Sequence, residues 1–469
     1  MKNEQKFENQ RSTVKNEKDQ DENRPYGLVE EVKDQILYPS GHPYSWPVIG
    51  YVDDLNRATL DDVKNFFMRW YGPNNAVLTI AGDVNTDEIV KLADKYFGSI
   101  PRGPEVTPTR LAAVQVNQDR YVTLADNYAR LPQLAITWPS VAAYSTDEAA
   151  LDCLAEILGQ GKNSILYQEI VKKQKALNAM AFNITSELAG EFTVRLTPVP
   201  GVSLADLKKM FDDAVAAFEK RGVKEEDVVK FKGAMEAQAI NGLESVAGKV
   251  SQLAQYQTFT GNPNQIADEL KSYSALTKED VWRVYNQYIK GKGAVIVSVT
   301  TKGKESDVAA APNYEVSTAG YQNPDYGYAG LKYTKPSDKF NRAQIPGSGP
   351  NPVVEVPKFW RKDIGDIRVI GSENRELPLV TLSISIPGGH LLEGADTSRI
   401  GLSRMVAAML GLLSLGASVA VWQHLHELPL VADAALVEDH GRSVPVAFEA
   451  TAKVAETDHG DPWDFDRSP

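Results

Sequence analysis

The chain contains an internal repeat, and this feature constrains its fold more than any other. When the sequence is shifted by 218 residues, TLDDVKNFFMRWYGPNNAVLTI (59–80) falls without a gap on TKEDVWRVYNQYIKGKGAVIVS (277–298). In both copies a Thr-x-x-Asp capping signal opens a helix with apolar residues at helical spacing, and a continuous apolar run follows. In the first copy this run, Ala76–Ala81, is typical of a buried strand. We therefore expect two domains of one fold, each of ~200 residues.

The region between the two copies predicts both strands and helices. Leu134–Trp138 and the alternation over 192–196 are typical of strands. Ser145 with Glu148 predicts a capping box for a helix that Gly159 ends. Two long amphipathic helices are then predicted, over Leu204–Glu219 and from Glu225 to about Tyr256. The predicted fold class is α+β: tandem homologous α+β domains, each an antiparallel-rich sheet with packed helices.

Composition and pattern divide the chain into five segments. Residues 1–108 and 358–410 predict incomplete first and third domains, and residues 109–303 predict a full second domain. Residues 304–357 are rich in proline, glycine and tyrosine, which favours an extended linker between two halves. Residues 411–469 contain one lysine and no asparagine, tyrosine or isoleucine, so we interpret them as a tail of divergent composition.

Charge and cysteine content exclude several classes of function. The chain has 62 acidic and 50 basic residues, a net charge of −12, which argues against nucleic acid as its main partner. A single cysteine excludes a disulfide framework and cysteine-rich zinc modules. The first 22 residues lack the apolar core of a secretory signal. Met405–Leu425 is uncharged, but its glycines, serines and Gln-His end favour a buried helix over a membrane span.

Several short motifs resemble metal-binding, phosphate-binding or catalytic motifs, but each is better explained by a structural role. His424-Leu-His426-Glu427 lacks the second histidine of H-E-x-x-H, and Pro429 interrupts the helix that this motif needs. GQGKNS (159–164) follows a helix rather than a strand and has Asn163 where a phosphate loop needs Ser or Thr, which favours a helix stop and turn. Cys153 is predicted to lie in the core and His42 in a turn.

Longer segments carry a family resemblance. They include FENQRSTVKNE (7–17), YPSGHPYSWPVIG (38–50), KYFGSIPRG (95–103), GKNSILYQEIVKKQKALN (161–178) and PGGHLLEGADTSRIGLSRMVAAML (387–410). Over about residues 1–410 the chain resembles the insulinase/pitrilysin family of zinc metallopeptidases. The resemblance implies tandem α+β domains, joined as two halves that close around a peptide.

The same resemblance implies a zinc site. In this family an inverted H-x-x-E-H helix supplies two histidine ligands and a glutamate base, and a glutamate on a second helix completes the site. The metal activates water and polarises the scissile carbonyl. By its position in KNE, Glu17 matches that distal ligand, although from the residues alone it is a solvated helix carboxylate.

The chain departs from the family pattern in two places. The H-x-x-E-H segment is not in this sequence, and in the third segment Arg404, Ala407 and Ala408 stand where the family has His, Glu and His. We therefore expect part of a zinc metalloendopeptidase, inactive alone and without bound zinc, whose parent protein is periplasmic or secreted. The alternative is a non-catalytic partner subunit or peptide-binding module that pairs with an active homologue.

Overall fold

The computed structural model describes residues 2–316, 325–337, 340–341, 343–345, 347, 349, 353, 357–373, 384–386 and 446–448. The chain divides into two compact units. The first comprises Met1–Glu236 and Ser245–Lys339, and the second comprises Ala237–Glu244 and Phe340–Pro469.

Helices and strands are mixed throughout the described residues. The helices are α1 (Lys2–Glu22), α2 (Val29–Leu37), α3 (Val52–Arg57), α4 (Leu60–Trp70), α5 (Thr86–Phe97), α6 (Glu148–Gly159), α7 (Leu204–Arg221), α8 (Glu225–Gly242), α9 (Val246–Thr260), α10 (Ile266–Ala275) and α11 (Lys278–Val284), with single π-turns at Tyr167–Val171 and Tyr285–Ile289 and a 3₁₀ turn at Pro73–Asn75. The strands are β1 (Arg120–Asp126), β2 (Gln133–Ser140), β3 (Ala176–Thr185), β4 (Gly190–Pro198), β5 (Val295–Thr301), β6 (Phe359–Ile364), β7 (Ile367–Ser372), β8 (Ile384–Ile386) and β9 (Val446–Phe448).

The first unit contains a five-stranded sheet in the order β1-β5-β2-β4-β3. Only β1 and β5 pair in parallel, and the other neighbours are antiparallel. The strand of the second repeat copy, β5, is an interior strand between β1 and β2, and its Ile296 lies beside Ile136 of β2. The predicted α+β class with an antiparallel-rich sheet is confirmed.

Each face of this sheet is covered by helices. On one face, Leu134 and Ile136 pack in a core with residues of α6, α7 and α11, among them Leu154 and Phe218. On the other face, α2 packs against the sheet through the second apolar cluster, which includes Val29, Ile36, Leu37, Val122, Val295 and Val297. Because both faces are covered, β5 is buried over Val295–Thr300. A strand that is covered on both faces is expected to be mostly apolar, and Val295–Val297 are aliphatic.

The first repeat copy is only partly as predicted. Thr59 and Asp62 form the predicted capping box of α4, and Asn85 accepts a hydrogen bond from the Glu88 backbone to open α5. The prediction of a buried strand at 76–81 is wrong: this segment is in no strand, and Leu78 is 56% exposed. A buried strand needs neighbouring strands, and no described residues pair with this one.

Two predicted helix details differ from the structure. The predicted capping box of α6 is absent, because the Glu148 carboxylate accepts from the Tyr144 N–H while the Ser145 hydroxyl donates to the Ala142 carbonyl. The predicted long helix from Glu225 divides into α8 and α9. Ser245 accepts a hydrogen bond from the Gly248 N–H, and this cap begins a new helix.

The described residues of the second unit form two strand pairs. β6, which the sequence reading missed, forms an antiparallel hairpin with β7, which it predicted. β8 pairs with β9 in the tail segment, and it contains Ile384 and Ile386 of the predicted alternating strand; Val380 and Leu382 lie outside the described residues. Among the described helices, none has both the length and the hydropathy to cross a membrane.

Candidate functional site

Glu17 lies in the C-terminal half of α1 with its side chain exposed. The helix carries almost no apolar face, so packing alone cannot fix its position. The next residue, Lys18, is buried and forms ion pairs with Glu22 at 2.7 Å and with Glu31 of α2 at 3.3 Å. Burial opposes the charge of Lys18, but Glu22 and Glu31 outweigh this effect and raise its pKa. An ion pair therefore fixes α1 to α2 directly beside Glu17.

A second polar contact holds the first half of α1. The guanidinium of Arg11 donates to the carbonyl oxygen of Leu55 and, at 2.7 Å, to that of Ala58. These carbonyls lie at the C-terminal end of α3, where backbone acceptors lack partners within the helix. The Arg11 guanidinium also stacks on the Phe7 ring at 4.6 Å. Helix α1 is thus linked to α2 by an ion pair and to the end of α3 by hydrogen bonds.

A buried charge cluster attaches α2 to the sheet. The Lys33 ammonium group lies 2.7 Å from Glu30 and 3.1 Å from Asp34 and is bonded to Glu191 of β4. The Tyr38 hydroxyl donates to the other Glu191 oxygen at 2.8 Å. We call Glu30, Lys33, Asp34, Tyr38 and Glu191 the Lys33 cluster.

The Lys33 cluster holds more carboxylates than Lys33 can neutralise. Burial opposes the charge of Lys33, but Glu191, Asp34 and Glu30 together raise its pKa. Burial, with a contribution from Glu191, raises the pKa of Asp34 to about 7 against the opposing effect of Lys33. Burial therefore favours the protonated form of Asp34 below neutral pH.

The segment before α2 is held by one carboxylate at the end of β1. Asp126 accepts hydrogen bonds from the backbone N–H groups of Tyr26 at 2.6 Å, Tyr128 at 2.7 Å and Ala129 at 2.8 Å. The Tyr26 hydroxyl donates to the Leu131 carbonyl at 2.9 Å. The helix that carries Glu17 is thus linked to the sheet through α2. The Lys33 cluster joins α2 to β4, and Asp126 joins the segment before α2 to the end of β1.

His42 follows α2, and its side chain has a structural role in the turn there. It is 5% exposed, its ring stacks on Tyr38 with centroids 4.6 Å apart, and its Nδ1 accepts from the Tyr44 N–H at 3.1 Å. Burial lowers the pKa of its imidazole, which favours the neutral form. The predicted turn is present, because the Ser45 N–H donates to the His42 carbonyl.

The described residues do not fit a catalytic zinc ion. Such a site takes three protein ligands and keeps a fourth position open. Within the described part of the chain no group of three or more His, Cys, Asp or Glu could hold a metal. Glu17 offers one carboxylate, and the oxygens of Glu191 already accept from Lys33 and Tyr38. Arg404, Ala407 and Ala408 lie outside the described residues, so their role as a degenerate site stays a prediction.

Two other sequence motifs are explained by packing. Cys153 is fully buried, and burial raises the pKa of its thiol to about 12, so it is not a nucleophile near neutral pH. Gly159 ends α6 where a Cβ atom would lie 1.9 Å from the Ala181 nitrogen. The predicted helix stop and turn at GQGKNS is confirmed, with Gly161 at φ +71°. The histidines of the His424 motif lie outside the described residues.

The Lys33 cluster was not found from the sequence. Lys33 and Glu191 are 158 residues apart; Lys33 stands in a charged stretch, and Glu191 precedes the alternating segment predicted as a strand. No local pattern marks either residue as buried. Only the packing of α2 on β4 brings them together.

Comparison with known proteins gives a consistent family assignment. Residues 57–235 match the model of the peptidase M16 inactive domain. The chain is 30% identical over 253 residues to zinc protease PqqE of Helicobacter pylori, covering 53% of this chain and 56% of that protein. It is 27% identical over 263 residues to the uncharacterized zinc protease ML0855 of Mycobacterium leprae, covering 55% of this chain and 58% of that protein. The chain thus spans about half the length of the curated relatives it matches.

Solved structures agree in fold. A protease from Helicobacter pylori superposes with a TM-score of 0.58 and 27% identity, covering 63% of this chain and 72% of that chain. A peptidase M16 inactive domain from Pseudomonas fluorescens superposes with a TM-score of 0.54 and 20% identity, covering 63% of this chain and 70% of that chain. The resemblance to zinc metallopeptidases read from the sequence is confirmed.

Proposed function

We propose that the chain belongs to the M16 metallopeptidase family and forms part of a zinc metalloendopeptidase that hydrolyses peptides in an enclosed chamber. On its own the chain does not hydrolyse peptides. The proposal is supported by the similarity to zinc proteases over more than half of the chain. It is also supported by the mixed sheet with packed helices, which is shared with a Helicobacter pylori protease.

The observation that carries the proposal is the placement of Glu17. A distal metal ligand needs an accessible carboxylate on a rigid support. Glu17 is exposed, while its neighbour Lys18 is buried in ion pairs with Glu22 and Glu31. The side chain is thus presented to solvent on a helix whose backbone is fixed. We propose that Glu17 occupies the distal ligand position once two histidines of an H-x-x-E-H helix are brought beside it.

Zinc is the proposed cofactor of the complete enzyme, and this chain contributes one of its ligands. Because the described residues hold no further ligand group, they assign no step of the hydrolysis. Arg404, Ala407 and Ala408 support an inactive third domain, since none of these side chains binds zinc. The proposed substrates are peptides or small proteins. A periplasmic or secreted location of the parent protein rests on the family resemblance alone.

A second function is favoured by one observation. The matching family model describes an inactive domain, which fits a subunit that completes a chamber or holds a peptide for an active homologue. In this function Glu17 is a surface carboxylate and takes no part in metal binding. The two functions share the fold and differ in whether Glu17 becomes a ligand.

A peptidase assay tests whether the chain hydrolyses peptides on its own, which neither of the two proposed functions predicts. The purified chain, Glu17→Gln and the control Asp19→Asn, another exposed position of α1, are incubated with a mixture of fluorogenic peptides with and without a chelator. We expect no turnover from any of the three. Peptide binding without turnover, measured by fluorescence anisotropy, supports the partner function. Chelator-sensitive turnover by the wild-type chain that Glu17→Gln abolishes contradicts the proposal.

A further inference from the structure

Three carboxyl groups lie where α6, β3, α9 and α10 of the first unit meet. They belong to Glu148 and Asp152, one helical turn apart on α6, and to Glu269 on α10. We call these three residues the Asp152 cluster. Among the described residues, no lysine or arginine forms an ion pair with any of them. The cluster therefore brings like charges together whenever its members are ionised.

Asp152 joins α6 to two neighbouring elements through hydrogen bonds. Its carboxyl group accepts from the Asn183 amide of β3 at 2.9 Å and from the Tyr273 hydroxyl of α10 at 3.1 Å. The Tyr273 ring packs against Phe231 of α8, with centroids 5.8 Å apart, and against the core of the first unit. The bond between Tyr273 and Asp152 therefore fastens α10 to α6 at the edge of the core.

Glu148 and Glu269 are held by neutral donors as well. Glu148 accepts from the Thr185 hydroxyl of β3 and, at 2.5 Å, from the Tyr144 N–H. Glu269 accepts from the Tyr256 hydroxyl of α9. The ring centroids of Tyr144 and Tyr256 are 6.0 Å apart, so α9 contacts the segment before α6. Helices α9 and α10 are thus attached to α6 through the cluster and its tyrosines.

Burial and mutual repulsion disfavour the ionised forms of the cluster. Burial raises the pKa of Asp152 from 3.8 to about 6, although its two hydrogen bonds oppose this shift. Glu148 and Glu269 raise the pKa of Asp152 further. Burial also raises the pKa of Glu148, and Glu269 adds to this effect. A rise in pH toward neutrality therefore places new negative charge inside the cluster.

Other charged groups on the packed elements do not neutralise the cluster. Glu156, one turn further along α6, pairs with Lys230 of α8 at 3.1 Å. Asp147, which precedes α6, pairs with Arg283 of α11 at 2.8 Å. Lys232, also on α8, forms no ion pair with the described members of the cluster. β3 contributes a neutral amide and a neutral hydroxyl, and α9 and α10 contribute tyrosine hydroxyls.

We propose that the Asp152 cluster is a pH-sensitive latch that holds α9 and α10 against α6 in acid and loosens as the pH rises toward neutrality. In the closed latch, a protonated Asp152 places no charge beside Glu148 and Glu269. Ionisation adds this charge, and separating α10 from α6 returns the group to water. The inference rests on the contacts of this cluster, and it holds whether or not the chain is part of a peptidase.

Linkage gives the size of the effect. When opening exposes Asp152, its pKa returns from about 6 to 3.8. Because the closed latch holds the proton more tightly, each pH unit between these values favours opening by up to about tenfold. The opening equilibrium therefore shifts by roughly a hundredfold between about pH 4 and pH 7.

Hydrogen exchange of the full 469-residue chain across this pH range, corrected for the intrinsic exchange rate at each pH, tests this proposal. Asp152→Asn keeps the shape of the side chain and removes its titration. Glu148→Gln is a second variant, which removes the repulsion from one neighbour. Asp268→Asn, at an exposed carboxylate of α10 itself, is the matched control. Urea unfolding verifies that each variant folds.

We expect the protection of the α9 and α10 amides to fall by roughly a hundredfold from pH 4 to pH 7 in the wild-type chain and in Asp268→Asn, while β2 and β5 keep their protection. Asp152→Asn gives a flat profile, and Glu148→Gln gives a smaller fall. Three outcomes overturn the proposal: an unchanged fall in either cluster variant, no fall in the wild-type chain, or an equal fall in β2 and β5, which indicates global unfolding.

Discussion

Phe67 and Tyr285 occupy the same position of the repeat, yet Phe67 is 51% exposed and Tyr285 is 1% exposed. Phe67 lies in α4, and Tyr285 begins the π-turn that follows α11; both helices open with a Thr–Asp capping box. The local sequence therefore forms a capped helix in both copies. Burial depends on the sheet and on α7, which cover only the second copy.

The two aromatic positions should differ in their contribution to stability. Tyr285→Ala leaves a cavity in the core, removes the contact with Phe218 and leaves Glu219 without the Tyr285 hydroxyl; we expect a loss of about 3–5 kcal/mol in the free energy of unfolding. Phe67→Ala removes a half-exposed ring, and we expect a loss of about 1 kcal/mol or less. Urea unfolding measures both. Equal losses would show that the first copy is covered in solution.

The Lys33 cluster should make a large contribution through its buried charges. Lys33→Met leaves Glu191 buried without its cation, and we expect a loss of about 3–5 kcal/mol. Adding Glu191→Gln removes this unpaired charge and should restore part of the loss. The control, Lys64→Met, breaks an exposed pair with Asp61 and should cost at most about 1 kcal/mol. Urea unfolding that gives Lys33→Met and Lys64→Met similar losses would contradict this account.

Asp34 should make stability fall as pH rises toward neutrality. Its pKa is raised from 3.8 to about 7 in the folded chain, so between these values the native state holds a proton that the unfolded chain has released. By linkage, its contribution to the free energy of unfolding falls through this interval, by at most about 1.4 kcal/mol per pH unit.

Asp34→Asn removes this effect. The difference in free energy of unfolding between Asp34→Asn and the wild-type chain should therefore grow in favour of the variant from pH 4 to pH 7 and then level off. Asp61→Asn, at an exposed pair, is the control. A constant difference across this range would show that Asp34 is already ionised at pH 4.

Gly159 should tolerate no side chain. A Cβ atom there lies 1.9 Å from the backbone nitrogen of Ala181, so Gly159→Ala must shift α6 from β3, and we expect a loss of about 1–3 kcal/mol. Gly233 in α8 has no atoms within 4 Å of the same position, so Gly233→Ala should stabilise the chain by about 0.5–1 kcal/mol. Thermal unfolding that shifts both variants in the same direction would contradict the close packing.

Local sequence predicted two of the three capping boxes. Those at Thr59 and Thr277 are present, with donors and acceptors three residues apart. The box predicted at Ser145 has the same spacing but did not form, because Glu148 accepts from the Tyr144 N–H instead. The strand predicted at 76–81 did not form, since a strand depends on partners remote in sequence. The bond between Lys33 and Glu191 joins residues 158 apart, and nothing near either residue predicts it.

The candidate ligand was identified by resemblance rather than by chemistry. In the sequence Glu17 is one of many helix carboxylates, and in the structure it remains exposed. The structure adds its support, the buried Lys18 and the bonds of Arg11 to the end of α3. These contacts explain how a polar helix holds one carboxylate in place.

Zinc stoichiometry tests the central claim most directly. The 469-residue chain is saturated with zinc, dialysed exhaustively and analysed by atomic emission, beside Glu17→Gln. Because the described residues supply one carboxylate where a zinc site needs three ligands, we predict far less than one zinc per chain, with no difference between the two proteins. One tightly held zinc per wild-type chain, lost in Glu17→Gln, would contradict the account.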